Sequence, residues 1–168
     1  MRSLPVKIIL SAVVMLILGG LGSYFTSSSI ASWYVTLDRP PGTPPNWLFG
    51  PVWSVLYILI GVSFALAWHR GKIGNNRITF LFFAQLILNL AWSPVFFGAH
   101  QITRALVVIL LMWVFIVLTI RAFAQVSKPA AWLLAPYLIW VSYATYLNAG
   151  YAYLNLESAV AASRSVEF

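Results

Sequence analysis

The chain has 168 residues, of which 61% are hydrophobic and 8% are charged, and its mean hydropathy is +0.88. Soluble globular proteins average roughly 25% charged residues, so this composition excludes an ordinary soluble domain and indicates several membrane spans. A span needs about 20 apolar residues. The length therefore accommodates five spans with short loops, and we expect one domain over residues 1–168.

The formal net charge is +7, with ten Lys and Arg against three Asp and Glu. The basic residues are scattered along the chain, as residues that set membrane topology are, so we expect no nucleic-acid partner. Cysteine is absent. Disulfides, thiolate catalysis and cysteine-ligated metals are thereby excluded.

Five apolar segments are predicted as spans, at residues 5–25, 47–68, 78–97, 102–123 and 130–153. None alternates apolar and polar residues, and each is too long for a membrane strand. The fold class predicted is therefore an all-α integral membrane protein, a single bundle of five transmembrane helices. The first segment, taken alone, also fits a signal peptide with a small-residue site near Ser29 to Ala31.

Residues 27–46 are predicted to form a loop between the first two spans. Four prolines between Pro40 and Pro45 remove backbone donors and fix φ, so the segment cannot continue a helix. Aromatic residues, among them Trp33 and Trp47, flank it, and Trp favours the boundary between membrane and water. We call residues 27–46 the capping loop and expect it to cover a site at that boundary.

The distribution of basic residues predicts an orientation. Seven lie on the amino-terminal side of the membrane (Arg2, Lys7, Arg70, Lys72, Arg77, Arg121, Lys128) and three on the other (Arg39, Arg104, Arg164). If the protein resides in an inner membrane, the positive-inside rule places the N-terminus in the cytoplasm and the capping loop outside.

Polar side chains at bilayer depth are costly and often functional. Gln85, Asn89 and Trp92 follow an i, i+4, i+7 spacing, which puts them on one helical stripe. Other stripes combine Trp53 with Tyr57, and Asn148 with Tyr137, Trp140, Ala144 and Tyr151. Directed inward, they would form an aromatic pocket with a few amide and hydroxyl groups, suited to a flat hydrophobic ligand. Alternatively, the amides only join helix to helix.

Several kinds of chemistry lack the residues they need. The acidic residues Asp38, Glu157 and Glu167 all lie outside the predicted spans, which counts against ion-coupled transport. No paired carboxylates or Ser/His/Asp arrangement offers hydrolysis, so no catalytic residues are assigned. His69 and His100 fall on opposite sides of the membrane and cannot ligate one iron together, so no metal site is expected.

Four motifs appear in order along the chain: WYVTLDRPP from Trp33, PPNWLFGPVWSVLY from Pro44, QLILNLAWSPVFFG from Gln85 and PYLIWVSYATYLN from Pro136. They resemble the tryptophan-rich sensory protein and translocator protein family, the peripheral benzodiazepine receptors. The resemblance covers most of the chain and implies a retained first span. It also implies a homodimer, for which Gly61 and Ala65 offer one small-residue face that could instead pack internally.

The resemblance implies a membrane receptor or sensor for tetrapyrroles such as protoporphyrin or haem, and related flat hydrophobic molecules, in a pocket between the helices under the capping loop. Its partners would be this ligand and the lipid bilayer, and no cofactor would be obligatory. With the stripes, it predicts the ligand-binding residues Trp47, Trp53, Tyr57, Gln85, Asn89, Trp92, Trp140, Tyr143, Ala144 and Asn148.

Two other functions remain open at this point. One is light- or oxygen-dependent degradation of bound porphyrin, for which the resemblance implies Trp53 and Trp140 as the reacting indoles. The other is passive translocation of porphyrin or lipid, which needs no intramembrane charge.

Overall fold

The structure, a computed structural model, describes residues 3–70 and 76–165. The α-helices are α1 (Leu4–Ile30), α2 (Phe49–His69), α3 (Asn76–Ser93), α4 (Ile102–Ala124), α5 (Lys128–Leu133) and α6 (Ala135–Ser165), with 3₁₀ turns at Tyr34–Thr36 and Asn46–Leu48 and a π turn at Pro94–Gly98. Five segments are long and apolar enough to cross a membrane. The prediction of an all-α integral membrane protein with five spans is confirmed.

The spans are Leu4–Tyr24, Asn46–His69, Arg77–Gly98, Ile102–Ala124 and Lys128–Leu156. Their ends lie close to the predicted ones, and the largest difference is at the fifth span, which was predicted to end at Tyr153. That span comprises α5 and α6, interrupted at Leu134. Ser127 caps α5, because its hydroxyl oxygen accepts a hydrogen bond from the Ala130 N–H.

α1 is longer than its predicted span and continues to Ile30. The helix therefore includes residues 27–30, and from here on the capping loop means residues 31–45. Near the end of α1, the hydroxyls of Ser23, Thr26 and Ser27 donate to backbone carbonyls three or four positions earlier. Hydroxyls bonded in this way satisfy their own donors within the helix. The run of small polar residues is helical, and its hydroxyls are bonded within α1.

The capping loop turns sharply at its prolines and rests on α6. The Thr43 N–H donates to the Pro40 carbonyl, and Gly42 has φ +81°, as the third residue of a type II turn requires. The Tyr143 hydroxyl donates to the Gly42 carbonyl, and Tyr146 donates to a neighbouring proline carbonyl. These contacts fix the loop against the side of α6.

Successive spans run antiparallel, which gives the bundle two ends. At the loop end, the Ser29 hydroxyl of α1 donates to the Phe97 carbonyl at 2.6 Å. At the amino-terminal end, the Lys7 ammonium lies 4.7 Å from the centroid of the Trp68 ring. The core between them is closely packed, and Phe82 stacks on Phe123 with centroids 5.8 Å apart.

The membrane-spanning helices make this an integral membrane protein. Its orientation stays a prediction. Of the basic residues used for it, Arg2 and Lys72 lie outside the described residues, and the others on the amino-terminal side fall at one end of the bundle.

The small-residue face of α2 is used within the bundle. A Cβ on Gly61 would lie 2.7 Å from the Ala12 Cα of α1, and Ala65 is completely buried. This close approach is typical of small residues at helix interfaces in membranes. Of the two alternatives for this face, the structure therefore favours internal packing, and the homodimer stays a prediction.

Candidate ligand cavity

A cavity of about 230 Å³ lies between α1, α2 and α3 at the loop end. Its lining residues are Gly19, Gly22, Ser23, Thr26, Ser27, Ile30, Asn46, Phe49, Gly50, Trp53, Tyr57, Asn89, Leu90, Trp92, Ser93 and Phe97. Ser23, Ser27 and Gly50 are also exposed on the surface, so the cavity opens between α1 and the start of α2. None of its lining residues carries a charge.

The α1 wall consists of small side chains. Gly19, Gly22, Ser23 and Thr26 recur at i, i+3, i+4 and i+7, which places them on one face of the helix. The Thr26 and Ser93 hydroxyls are 2.8 Å apart, and Ser93 also donates to a backbone carbonyl of α1. α1 is thereby tied to α3 while its side chains leave space unfilled.

The inner end of the cavity is a hydrogen-bonded bridge across three helices. The Tyr57 hydroxyl of α2 donates to Asn89 Oδ1 of α3 at 2.5 Å, and Asn89 Nδ2 donates to the Tyr137 hydroxyl of α6 at 2.9 Å. All three residues are buried. The bridge fixes the Asn89 amide, which lines the cavity, in one orientation.

Aromatic rings form the wall opposite α1. The Trp53 ring lies 5.6 Å from Tyr57 and 6.3 Å from Tyr137, measured between centroids. Trp92 stacks on Phe96 at 5.1 Å and also reaches the cavity. Rings in these arrangements offer flat apolar surfaces on which a planar ligand can stack.

Asn46 supplies a polar atom near the opening. Its Oδ1 is buried and accepts no hydrogen bond within the described part of the chain. A buried acceptor without a donor costs about 1–3 kcal/mol, so a ligand with an N–H or O–H group would gain from meeting it.

A second, smaller hollow lies directly under the capping loop. We call it the crevice; its volume is about 20 Å³, and its lining residues are Tyr34, Phe49, Trp92, Phe96, Phe97, Ala144, Leu147, Asn148 and Tyr151. The Tyr151 hydroxyl donates to that of Tyr34 at 2.7 Å. Burial raises the pKa of the Tyr34 phenol well above its ordinary value, so the phenol stays neutral. The large side chains that line the crevice fill most of the space between α2, α3 and α6.

The capping loop covers the crevice and not the cavity. Tyr34, from the loop, lines the crevice, whereas the cavity borders the loop only at Ile30 and Asn46, which flank residues 31–45. The hollow under the loop is therefore nearly full, and a ligand pocket there stays a prediction. The larger hollow lies beside it.

The predicted ligand-binding residues fall into three groups. Trp53, Tyr57, Asn89 and Trp92 line the cavity, whereas Ala144 and Asn148, with Trp92, line the crevice. Trp140, Tyr143, Trp47 and Gln85 line neither.

Asn148 joins helix to helix, which is the alternative role that the sequence leaves open for the amides. Its Oδ1 accepts from the Trp92 indole N–H, and its Nδ2 donates to the Ile102 carbonyl, both at 3.0 Å. Both polar ends of the side chain are thus bonded within the protein, and little remains for a ligand.

The predicted residues that line neither hollow have other surroundings. Trp140 packs on Phe49 and Tyr143, and Tyr143 holds the capping loop. Trp47 is 70% exposed, as an interfacial anchor would be. Gln85 is 1% exposed, and neither end of its amide has a hydrogen-bond partner within the described residues.

Several lining residues were not predicted from the sequence. They are mainly the small residues of α1 with Asn46, Phe49 and Ser93. Their signal in the sequence is the i, i+3, i+4, i+7 spacing of small residues from Gly19, a spacing that also allows close helix approach. Gly19 does allow it, since a Cβ there would overlap the Tyr57 ring.

No group of three residues suited to a metal ion occurs among residues 3–70 and 76–165. His100 stacks on Trp33 with centroids 4.2 Å apart, and His69 lies at the other end of the bundle. The cavity therefore offers a ligand aromatic rings for stacking and a few hydrogen bonds. The chain that forms it is a polytopic membrane protein.

Comparison with known proteins identifies the family to which this chain belongs. Residues 11–154 match the model of the TspO/MBR family. The chain is 47% identical over 144 residues to the tryptophan-rich protein TspO of Chlorobaculum tepidum, which covers 83% of this chain and 90% of that protein. It is 41% identical over 135 residues to the translocator protein of Bos taurus, covering 78% and 80% of the two chains.

A third relative is the tryptophan-rich sensory protein of Cereibacter sphaeroides, 38% identical over 117 residues, with 69% of this chain and 72% of that protein covered. The chain belongs to the TspO/MBR family. The family predicted from the four motifs is thus confirmed.

Proposed function

We propose that this protein is a membrane receptor that binds a tetrapyrrole such as protoporphyrin or haem, or a related flat hydrophobic molecule, in the cavity between α1, α2 and α3. The observation that carries the proposal is an uncharged cavity with Trp53 and Trp92 on one side and small residues on the other. Burial of apolar ligand surface contributes roughly 25 cal/mol per Å². Stacking on the indoles adds to that stabilisation.

Size and charge determine how such a ligand is held. The cavity is smaller than the roughly 300–1,000 Å³ of typical ligand sites, so a macrocycle is enclosed along one edge and extends through the opening between α1 and α2. Carboxylates on the ligand remain outside, because no lining residue offers them a positive charge and burying an unpaired charge is costly. Asn46 Oδ1, which accepts no hydrogen bond from the described residues, fixes the orientation of the enclosed edge, and Asn89 holds Tyr57 in the cavity wall.

The test is a titration of the detergent-solubilised protein with protoporphyrin, followed by tryptophan fluorescence. We expect saturable quenching and an affinity about tenfold lower in Asn89→Ala, which removes the group that holds the Tyr57 hydroxyl in the cavity wall. Asn155→Ala is the matched control, because Asn155 bonds the capping loop and does not line the cavity. The absence of saturable quenching, or equal affinities in both variants and the unaltered protein, would contradict the proposal.

A second candidate function is oxidative degradation of the bound porphyrin, and it is favoured by the position of Trp53. This indole lines the cavity within 5.6 Å of the Tyr57 ring, whereas Trp140 is separated from the cavity by Phe49. Illumination of the complex in air should then produce a new chromophore that Trp53→Phe abolishes. A receptor without this activity returns the porphyrin with its absorption spectrum unchanged.

A further inference from the structure

A polar cleft lies at the amino-terminal end of the bundle, far from the ligand cavity. It has a volume of about 310 Å³ between the start of α3 and the end of α4, and is lined by Arg77, Ile78, Leu118, Arg121, Ala122 and Gln125. Neither arginine belongs to the ligand cavity or to the crevice. The cleft combines two positive charges and one amide with an apolar wall.

The depth of this cleft coincides with a membrane boundary. Arg77 is the first residue of the third span, and Arg121 lies in the last turn of α4, whose span ends at Ala124. Ile78 and Leu118 continue the lining toward the bilayer interior. A molecule in the cleft would therefore have its polar part level with the lipid headgroups and its apolar part against the helices.

The basic residues of the chain outnumber the acidic ones. The sequence contains ten basic residues and only three acidic ones. Asp38 lies in the capping loop at the opposite end, Glu157 follows Leu156 near the far end of α6, and Glu167 is outside the described residues. Asp38 and Glu157 thus lie toward the opposite end of the bundle from the cleft.

We propose that this cleft binds the headgroup phosphate of an anionic phospholipid. Arginine presents a planar fork of N–H donors that matches phosphate oxygens, and two arginines from different helices can hold one phosphate between them. Gln125 is positioned to bond the headgroup hydroxyls, and Ile78 and Leu118 contact the acyl chain. Basic pockets between membrane helices are known to bind anionic headgroups in this manner.

The test measures lipid binding to the full chain in a nonionic detergent by native mass spectrometry. Dimyristoylphosphatidylglycerol is titrated against dimyristoylphosphatidylcholine, which has the same acyl chains and no net charge. We expect tighter binding of the anionic lipid, with a loss of about tenfold for Arg121→Gln and a larger loss when Arg77→Gln is added. Arg121→Lys should restore only part of the affinity, since it keeps the charge but not the fork.

Arg104→Gln is the matched control, because it removes one arginine at the loop end, outside the cleft. It should leave binding of the anionic lipid unchanged, and every variant should keep the thermal stability and the protoporphyrin affinity of the unaltered protein. Equal losses in Arg104→Gln and Arg121→Gln would overturn the proposal, because they would reflect net charge alone. Binding of soluble glycerol phosphate as tight as that of the lipid would overturn the assignment to a phospholipid.

Discussion

The cavity and the crevice, both at the loop end, differ in which helix supplies their outer wall. Both are lined by Phe49, Trp92 and Phe97, yet the cavity measures about 230 Å³ and the crevice about 20 Å³. α6 and the capping loop fill the crevice with tyrosine and leucine side chains, whereas α1 faces the cavity with glycine, serine and threonine. Small residues on one helix therefore determine where a ligand has room.

The two hollows also differ in what covers them. The crevice is closed by the capping loop, which Tyr143, Tyr146 and Asn155 hold by hydrogen bonds. The cavity opens beside the loop at Ser23, Ser27 and Gly50. We infer that the loop stabilises the bundle and that a ligand reaches its site without displacing the loop.

The largest effect is expected from filling the cavity. Gly22→Leu places a side chain in the space between α1 and Ser93 and should lower protoporphyrin affinity by at least about tenfold, because overpacking costs about 1–3 kcal/mol. Gly20→Leu is the control, since Gly20 has no neighbour within 4 Å and does not line the cavity. Fluorescence titration of both variants provides the comparison, and equal affinities would mean that the ligand binds elsewhere.

A smaller effect is expected at the bridge. A Cβ on Gly19 would overlap the Tyr57 ring, so Gly19→Ala should displace Tyr57 and weaken its bond to Asn89. We expect a destabilisation of about 1–3 kcal/mol, measured by thermal unfolding in detergent. Gly20→Ala should leave the midpoint unchanged. If Gly19→Ala were also neutral, α1 and α2 would not pack as closely as described.

Loosening the capping loop should affect stability but not binding. A Cβ on Gly150 would lie 2.6 Å from the Pro40 Cβ, so Gly150→Ala pushes the loop away from α6. We expect a lower unfolding temperature, corresponding to about 1 kcal/mol, and an unchanged affinity for protoporphyrin. A marked loss of affinity would show instead that the loop forms part of the site.

The smallest effect concerns the fluorescence signal itself. Trp53→Phe should reduce the fraction of fluorescence that protoporphyrin quenches more than Trp140→Phe does, because Trp53 lines the cavity and Trp140 does not. Each variant removes one of eight tryptophans, so the difference will be modest and requires matched protein concentrations. The opposite ranking would place the ligand near α6.

Hydropathy was sufficient to predict the five spans, because a helix that crosses lipid must be long and apolar. The stripe of Asn89 and the pair Trp53 and Tyr57 also point inward as predicted, since amides and indoles gain more from protein partners than from lipid. The end of α1 was missed because serine and threonine favour loops in general. Here their hydroxyls bond to the helix itself.

The distribution of empty space was not predictable from the sequence. Asn89 and Asn148 have similar patterns, and both ends of each amide are bonded within the protein, yet Asn89 lines the cavity and Asn148 lines the crevice. What separates them is the packing of α1 and α6 around α3, a property of the assembled bundle. Side-chain spacing along one helix carries no information about how large the residues on the facing helix are.

The most direct measurement is an experimental structure of the protein with protoporphyrin bound. The account predicts density for the macrocycle between α1, α2 and α3, in contact with Gly22, Trp53 and Asn89. Density between α2, α3 and α6, with Tyr151 and Tyr34 displaced from the crevice, would contradict it.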